Sequence, residues 1–240
     1  MDSFAITDIG KTREVNQDYI FRSEEPVGPL PNLFIVADGM GGHNAGDFAS
    51  RFCVEEFVSD ITEANGKTLY STLDMAFQDI CEKLIKKSHE NSALEGMGTT
   101  FVTAFIKDGI LHASNIGDSR LYLLHPELEQ ISMDHSLVAE MVRNGDISEE
   151  MARFHPNKNI VTRAISANGI VVPDYFEVPV NKGDCILMCS DGLSNMVENR
   201  EIQTVVRENR GDARTICETL VEMANANGGK DNISVIVIFV

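Results

Sequence analysis

Basic residues are scarce in this chain. Its 240 residues carry 20 lysines and arginines against 37 aspartates and glutamates, a formal charge of −17. A surface that acidic repels nucleic acid and anionic lipid, which sets aside nucleases and DNA binders. Cysteine is sparse and irregular. Cys53, Cys81, Cys185, Cys189 and Cys217 show neither a metal-knuckle spacing nor a disulfide framework, so they read as reduced, buried thiols of a cytoplasmic protein. No basic stretch followed by an apolar one opens the chain, and no apolar run approaches a membrane span. Asn232-Ile-Ser234 matches a glycosylation sequon, which without secretion reads as chance. Two familiar motifs are each one glycine short. Gly10-Lys11-Thr12 would end a phosphate-binding loop if position 5 were glycine, but Ala5 is there. Gly117-Asp118-Ser119 would be a nucleophile elbow if position 121 were glycine, but Leu121 is there, which removes Ser119 as a nucleophile.

What is present is a repeated arrangement of apolar run, aspartate and glycine. Residues 33–42 run Leu-Phe-Ile-Val-Ala into Asp38, Gly39, Met40, Gly41 and Gly42. Five apolar residues in succession read as a strand buried on both faces, with Asp38 at its end. Residues 110–116 lead into Gly117-Asp118, and residues 184–190 lead into Asp191-Gly192. Asp231 precedes a last apolar strand at residues 234–239, and Asp18 precedes a strand at 19–22. An aspartate at a turn is usually structural. Several after buried strands are harder to dismiss, because carboxylates that converge repel one another unless cations stand between them. Oxygen-only ligands suit magnesium, manganese or calcium, and zinc is disfavoured for want of a His/Cys cluster. Two such ions would lower the pKa of a shared water for attack on phosphorus or a carbonyl. Arg13 fits a phosphate, since its planar fork matches the oxygens.

The remaining pattern supplies a scaffold. Residues 3–7 read as a strand, and 45–61 and 69–84 as amphipathic helices. Residues 98–107 and 110–116 form a hairpin about Asp108-Gly109. Strands are expected at 121–124 and 175–178, and helices at 200–208 and 213–227. Residues 132–166, with a helix at 137–144 stopped by Gly145 and another opening at Ser148, read as a small excursion from this scaffold. No linker or repeat interrupts the chain, so one domain over 1–240 is expected, and a monomer is the default.

The set Arg13-x-x-Asn16-Gln17-Asp18, Val36-Ala-Asp38-Gly39-Met-Gly-Gly42, Gly98-Thr-Thr100, Gly117-Asp118-Ser-Arg120, Asp134-His-Ser136, His155-Pro156, Asn159-Ile-Val-Thr-Arg-Ala164, Ser190-Asp191-Gly192 and Asp231-Asn-Ile-Ser-Val235 resembles the metal-dependent type 2C serine/threonine protein phosphatases, in their short bacterial branch. The resemblance spans the chain from Asp8 onward. It implies an α+β fold, a four-layer α-β-β-α sandwich of two mostly antiparallel sheets flanked by helix pairs. It implies hydrolysis of phosphoserine and phosphothreonine with two or three Mn2+ or Mg2+ ions, by in-line attack of a metal-bridging hydroxide and without a phosphoenzyme. The substrates would be phosphoproteins, and the counterpart a eukaryotic-like Ser/Thr kinase. By motif match, Asp38, Asp191 and Asp231 would ligate the metal pair directly, with the Gly39 carbonyl, and Asp18 through water. Asp118 with Asp191 would hold a third ion, and Arg13 would clamp the phosphate. The resemblance also implies a flap beside the site at about 136–166.

One position departs from the pattern. Where eukaryotic members carry a histidine after Asp-Gly, this chain has Met40, which has no proton to give. His43 lies three residues on, and the proton donor is open between it and metal-held water. Two other readings stand beside the phosphatase. A silent phosphoprotein binder would have lost metal aspartates, and all are present. A two-metal esterase would act on carboxyl esters.

Overall fold

The computed structural model describes residues 1–42, 45–64 and 68–240. The chain opens with β1 (Asp2–Asp8), β2 (Asp18–Ser23) and β3 (Leu33–Met40), then two long helices, α1 (Ala45–Glu63) and α2 (Leu69–Glu90). After a 3-10 turn at Ser92–Leu94 come β4 (Gly98–Thr99), β5 (Phe101–Lys107), β6 (Ile110–Ile116), β7 (Arg120–Leu124) and β8 (Leu128–Gln130). Next are α3 (Leu137–Arg143), α4 (Glu149–Phe154), β9 (Ile165–Ser166), β10 (Asp174–Pro179) and β11 (Cys185–Cys189). The chain ends with α5 (Asp191–Ser194), α6 (Asn199–Glu208), α7 (Ala213–Ala226) and β12 (Ile233–Phe239).

Two antiparallel sheets result. One runs β1-β12-β11-β7-β8, the other β10-β6-β5-β3-β4-β9, with β2 also paired to β3. Alternation along the strands sorts their side chains into layers. On β3, Phe34 and Val36 join β5, β6, β7, β11 and β12 residues in the core between the sheets. Leu33, Ile35 and Ala37 face the other way, against Phe57 and Ile61 of α1 and Phe77 and Ile80 of α2. On β12, Ile236 and Ile238 point between the sheets, while Val235 and Val237 meet Ile202 of α6 and Ile216 and Leu220 of α7. The layers are therefore helix pair, sheet, sheet, helix pair. Residues 33–36 of β3 are fully buried, and each such side chain contributes about 1.5–3 kcal/mol on burial.

Several boundaries differ from the sequence pattern. Asp38 lies within β3, not at its end, because the ladder continues through Gly39 opposite Thr99 and Met40 opposite Gly98. The expected strand at 98–107 breaks at Thr100, whose backbone N–H donates to the Asp38 carbonyl at 2.9 Å. Asp191 opens a helical turn, and the short β8 and β9 are additional. The Asp108-Gly109 turn is as expected, with φ of 51° and 76° as a tight hairpin demands. All five cysteines are buried and unpaired. Among the described residues no helix is long and apolar enough to cross a membrane.

Candidate active site

The aspartates meet at one end of the sandwich, and the ladders explain why. Register places Asp18 of β2 directly opposite Asp38 of β3. In the other sheet, Ser190 follows β11, and its N–H donates to the Ser234 carbonyl of β12 at 3.1 Å, which brings the Asp191 turn beside the Asp231 loop. The Ser190 hydroxyl crosses to the first sheet and donates to Asp18 Oδ2 at 2.7 Å. Gly39 is held against the start of α1 so closely that a Cβ there would fall 2.1 Å from the Gly46 carbonyl oxygen. The close approach it permits is to protein backbone.

Electrostatics mark these carboxyls as strained in isolation. Burial, then the charges of Asp18, Asp191, Asp118 and Asp231, push Asp38 well above the usual carboxylate range. Burial pushes Asp18 up to about 7, against bonds from Ser190 and Ser234 that favour its ionised form. Burial and the neighbouring Asp191 charge push Asp118 up to about 8. Burial and Asp231 push Asp191 up to about 6, with Lys158, Arg120 and Arg13 opposing. Among the described residues, Asp18 Oδ1 and Asp191 Oδ1 are buried with no hydrogen-bond partner. A buried acceptor without a donor is costly. Hard-oxygen donors, mutual repulsion and leftover lone pairs are the conditions a divalent cation relieves, so these residues fit such an ion. The carboxylates do not close into a finished cage. Among the described residues, no three His, Cys, Asp or Glu side chains gather tightly enough to form one.

Arg13 stands at the rim. Its Nη2 donates to Asp231 Oδ2 at 2.7 Å, and its side chain is 48% exposed. That bond raises the already high Arg13 pKa. The loop carrying it is fixed by Asn232. Asn232 Oδ1 accepts from the Gln17 N–H at 2.9 Å, and its Nδ2 donates to the Ile9 carbonyl at 3.0 Å and the Val15 carbonyl at 3.1 Å. The sequon reading gave Asn232 no role. An asparagine directly after a candidate ligand was the available signal. His43, the remaining candidate, lies outside the described residues.

Residues 136–166 hang beside this end. The neck closes where Ser136 bridges Val161, and Thr162 N–H donates to the His135 carbonyl at 2.8 Å. His135 Nδ1 accepts from the Gly117 N–H at 3.0 Å, so its Nε2 carries the proton that bonds Asp174 Oδ2 at 2.9 Å. The neck is thus tied to the loop that holds Asp118. Arg120 and Asp134 form a two-pronged pair, Nη2 to Oδ2 at 2.7 Å and Nε to Oδ1 at 3.1 Å. A cavity of about 720 Å3 is lined by Val138, Arg143 and Lys158 of the excursion together with Asp118, Asp191 and Asn195.

The model of the family described as "Protein phosphatase 2C" matches residues 10–235. The chain belongs to this family. The serine/threonine phosphatase stp of Listeria monocytogenes serotype 4b (strain F2365) is 38% identical over 97% of this chain and 93% of its own. The structure of the S. agalactiae serine/threonine phosphatase superposes with a TM-score of 0.91 at 34% identity, covering 100% of this chain and 99% of that one. The catalytic domain of the serine/threonine protein phosphatase PstP, solved in complex with two manganese ions, has a TM-score of 0.85 at 32% identity, covering 98% of this chain and 96% of that one. The chain is a metal-dependent serine/threonine protein phosphatase of type 2C.

Proposed function

We propose that Asp38, Asp191 and Asp231, with the Gly39 carbonyl, are the direct ligands of a pair of Mn2+ or Mg2+ ions, that Asp18 acts through a water held by them, and that Asp118 and Asp191 bind a third ion. The supporting observation is the meeting of buried carboxyls at one end of the sandwich with Asp18 Oδ1 and Asp191 Oδ1 left without donors. When bound, such ions acidify water for nucleophilic attack and neutralise charge on phosphoryl oxygens. The protein residues supply position. Arg13, steered by Asp231 and Asn232, binds the phosphoryl oxygens of a phosphoserine or phosphothreonine. Ser190 holds Asp18, and Thr100 holds the Asp38 backbone on both sides: the Asp38 N–H donates to Thr100 Oγ1 at 2.9 Å, and the Thr100 N–H donates to the Asp38 carbonyl at 2.9 Å. Residues 1–240 act as one catalytic domain in the cytoplasm, and a Ser/Thr kinase supplies the monoester that it removes.

The test is turnover of a phosphothreonine peptide and an aryl phosphate by the purified chain. Added Mn2+ should support both and a chelator should abolish both. Asp38→Asn and Asp231→Asn should fall to the chelated level. Wild-type turnover by either variant would overturn the ligand assignment while leaving the family standing.

A further inference from the structure

We propose that Asn195 is a positioning residue for the Asp191 carboxylate, and that Lys158 of the flap acts through it. The proposal rests on Asp191 being a metal ligand. Asp191 opens α5, and Asn195 stands four residues later, on the same side of the turn. Asn195 Nδ2 donates to Asp191 Oδ2 at 2.9 Å. The other oxygen, Oδ1, is the buried one without a partner. The amide therefore selects which oxygen of Asp191 is left for a cation and fixes the carboxylate plane.

The far end of the same amide is also taken. Lys158 Nζ donates to Asn195 Oδ1 at 3.1 Å. Lysine can only donate and an ionised carboxylate can only accept, so a side chain between them must accept at one end and donate at the other. Asparagine does both in a single planar group, and its orientation is fixed by these two partners. A second flap cation grips the same turn, with Arg153 Nη1 donating to the Ser194 carbonyl at 3.4 Å. Lys158, Asn195 and Asp191 all line the cavity beside the carboxylates. The relay thus couples flap position to the metal site, and such coupling is reciprocal: whatever holds the flap tightens the ion, and the ion tightens the flap.

The experiment measures Mn2+ binding calorimetrically on the full chain, beside kcat and KM on a phosphothreonine peptide and an aryl phosphate. Loss of a group that orients a metal ligand typically weakens metal binding by roughly tenfold to a hundredfold, and that is the expectation for Asn195→Ala. Lys158→Met should weaken it less, and Lys158→Arg should restore it. The double variant Asn195→Ala, Lys158→Met should lose far less than the sum of the two single losses, because without Asn195 only the through-space charge of Lys158 still reaches Asp191. Hydrogen exchange across residues 149–160 should slow on adding Mn2+ to the wild type and not to Lys158→Met. Wild-type affinity in a folded Asn195→Ala chain, or additive losses in the double variant, would overturn the relay alone. A wild-type chain that binds no Mn2+ would overturn the metal site and the relay with it.

Discussion

The carboxylate end of the sandwich and the flap beside it are built on opposite terms. Each aspartate sits on or next to a strand whose apolar side chains are buried, and the two sheets are joined there by Ser190 and Asn232. The flap has almost no core. Val138 is the one buried residue of α3 and α4, while Met151 and Phe154 are exposed at 58% and 79%. Its short helices are held by polar caps, Ser136 Oγ accepting from Ala139 N–H and Ser148 Oγ from Met151 N–H. The first region has stability to spare and uses it to confine like charges. The second has little and is positioned by a few polar bonds, which makes it the part of the fold that opens at least cost.

The largest expected effect lies at the carboxylates, where activity and stability should part. Asp38→Asn should remove phosphatase turnover and yet raise the melting temperature of the chelated protein at pH 8. The buried charge it deletes is one the metal-free fold opposes. A matched loss of both, by assay and calorimetry, would mean that Asp38 holds the fold together and not a ligand.

The same contrast appears as a pH dependence. Asp18 is pushed up to about 7 and Asp118 up to about 8, from an ordinary 3.8. Between those values the folded chain keeps protons that the unfolded chain has released. Stability of the chelated protein should therefore be highest below about pH 4 with respect to these groups and fall as pH rises toward 8. The fall in melting temperature should be at least about 5 °C, given that about 1 kcal/mol shifts a chain of this size by about 2–4 °C. Saturating Mn2+ should flatten the slope, because cations favour the ionised carboxylates.

Asn232→Ala comes next. Asn232 is 4% exposed and makes three bonds to the loop that carries Arg13. Leaving those buried groups unpaired should destabilise by roughly 1–3 kcal/mol. It should also raise KM more than it lowers kcat, because the loop that presents Arg13 loosens while the carboxylates stay. Steady-state kinetics and thermal melts on one preparation separate the two.

How much of this was legible in the chain follows the same divide. The long apolar runs gave the strands, and helical spacing placed α1, α2, α6 and α7, because burial forces a period on the sequence. The aspartates stood out because a charge ending such a run is conspicuous. What could not be read was anything decided by register or by a bond across the fold. Nothing local says that Asp18 lies opposite Asp38, that β3 continues past Asp38 to pair with β4, or that Asn195 faces Lys158. Asp191 reads as the end of a strand because its neighbours before it are apolar, yet Leu193 and Val197 after it are buried too and pull the chain into a turn of helix.

The smallest expected effect is at the flap surface. Phe154 is 79% exposed at the end of α4. Phe154→Ser removes an aromatic side chain that buries little, so its effect on stability should fall within about 0.5 kcal/mol, the usual range for surface changes. Melting temperature and Mn2+ affinity should match the wild type, and so should turnover of an aryl phosphate, because Phe154 is not among the residues that line the cavity beside the carboxylates. A drop in melting temperature comparable with that of Asn232→Ala would show that the flap shares in the packing of the sandwich, and the contrast between the two regions would fail.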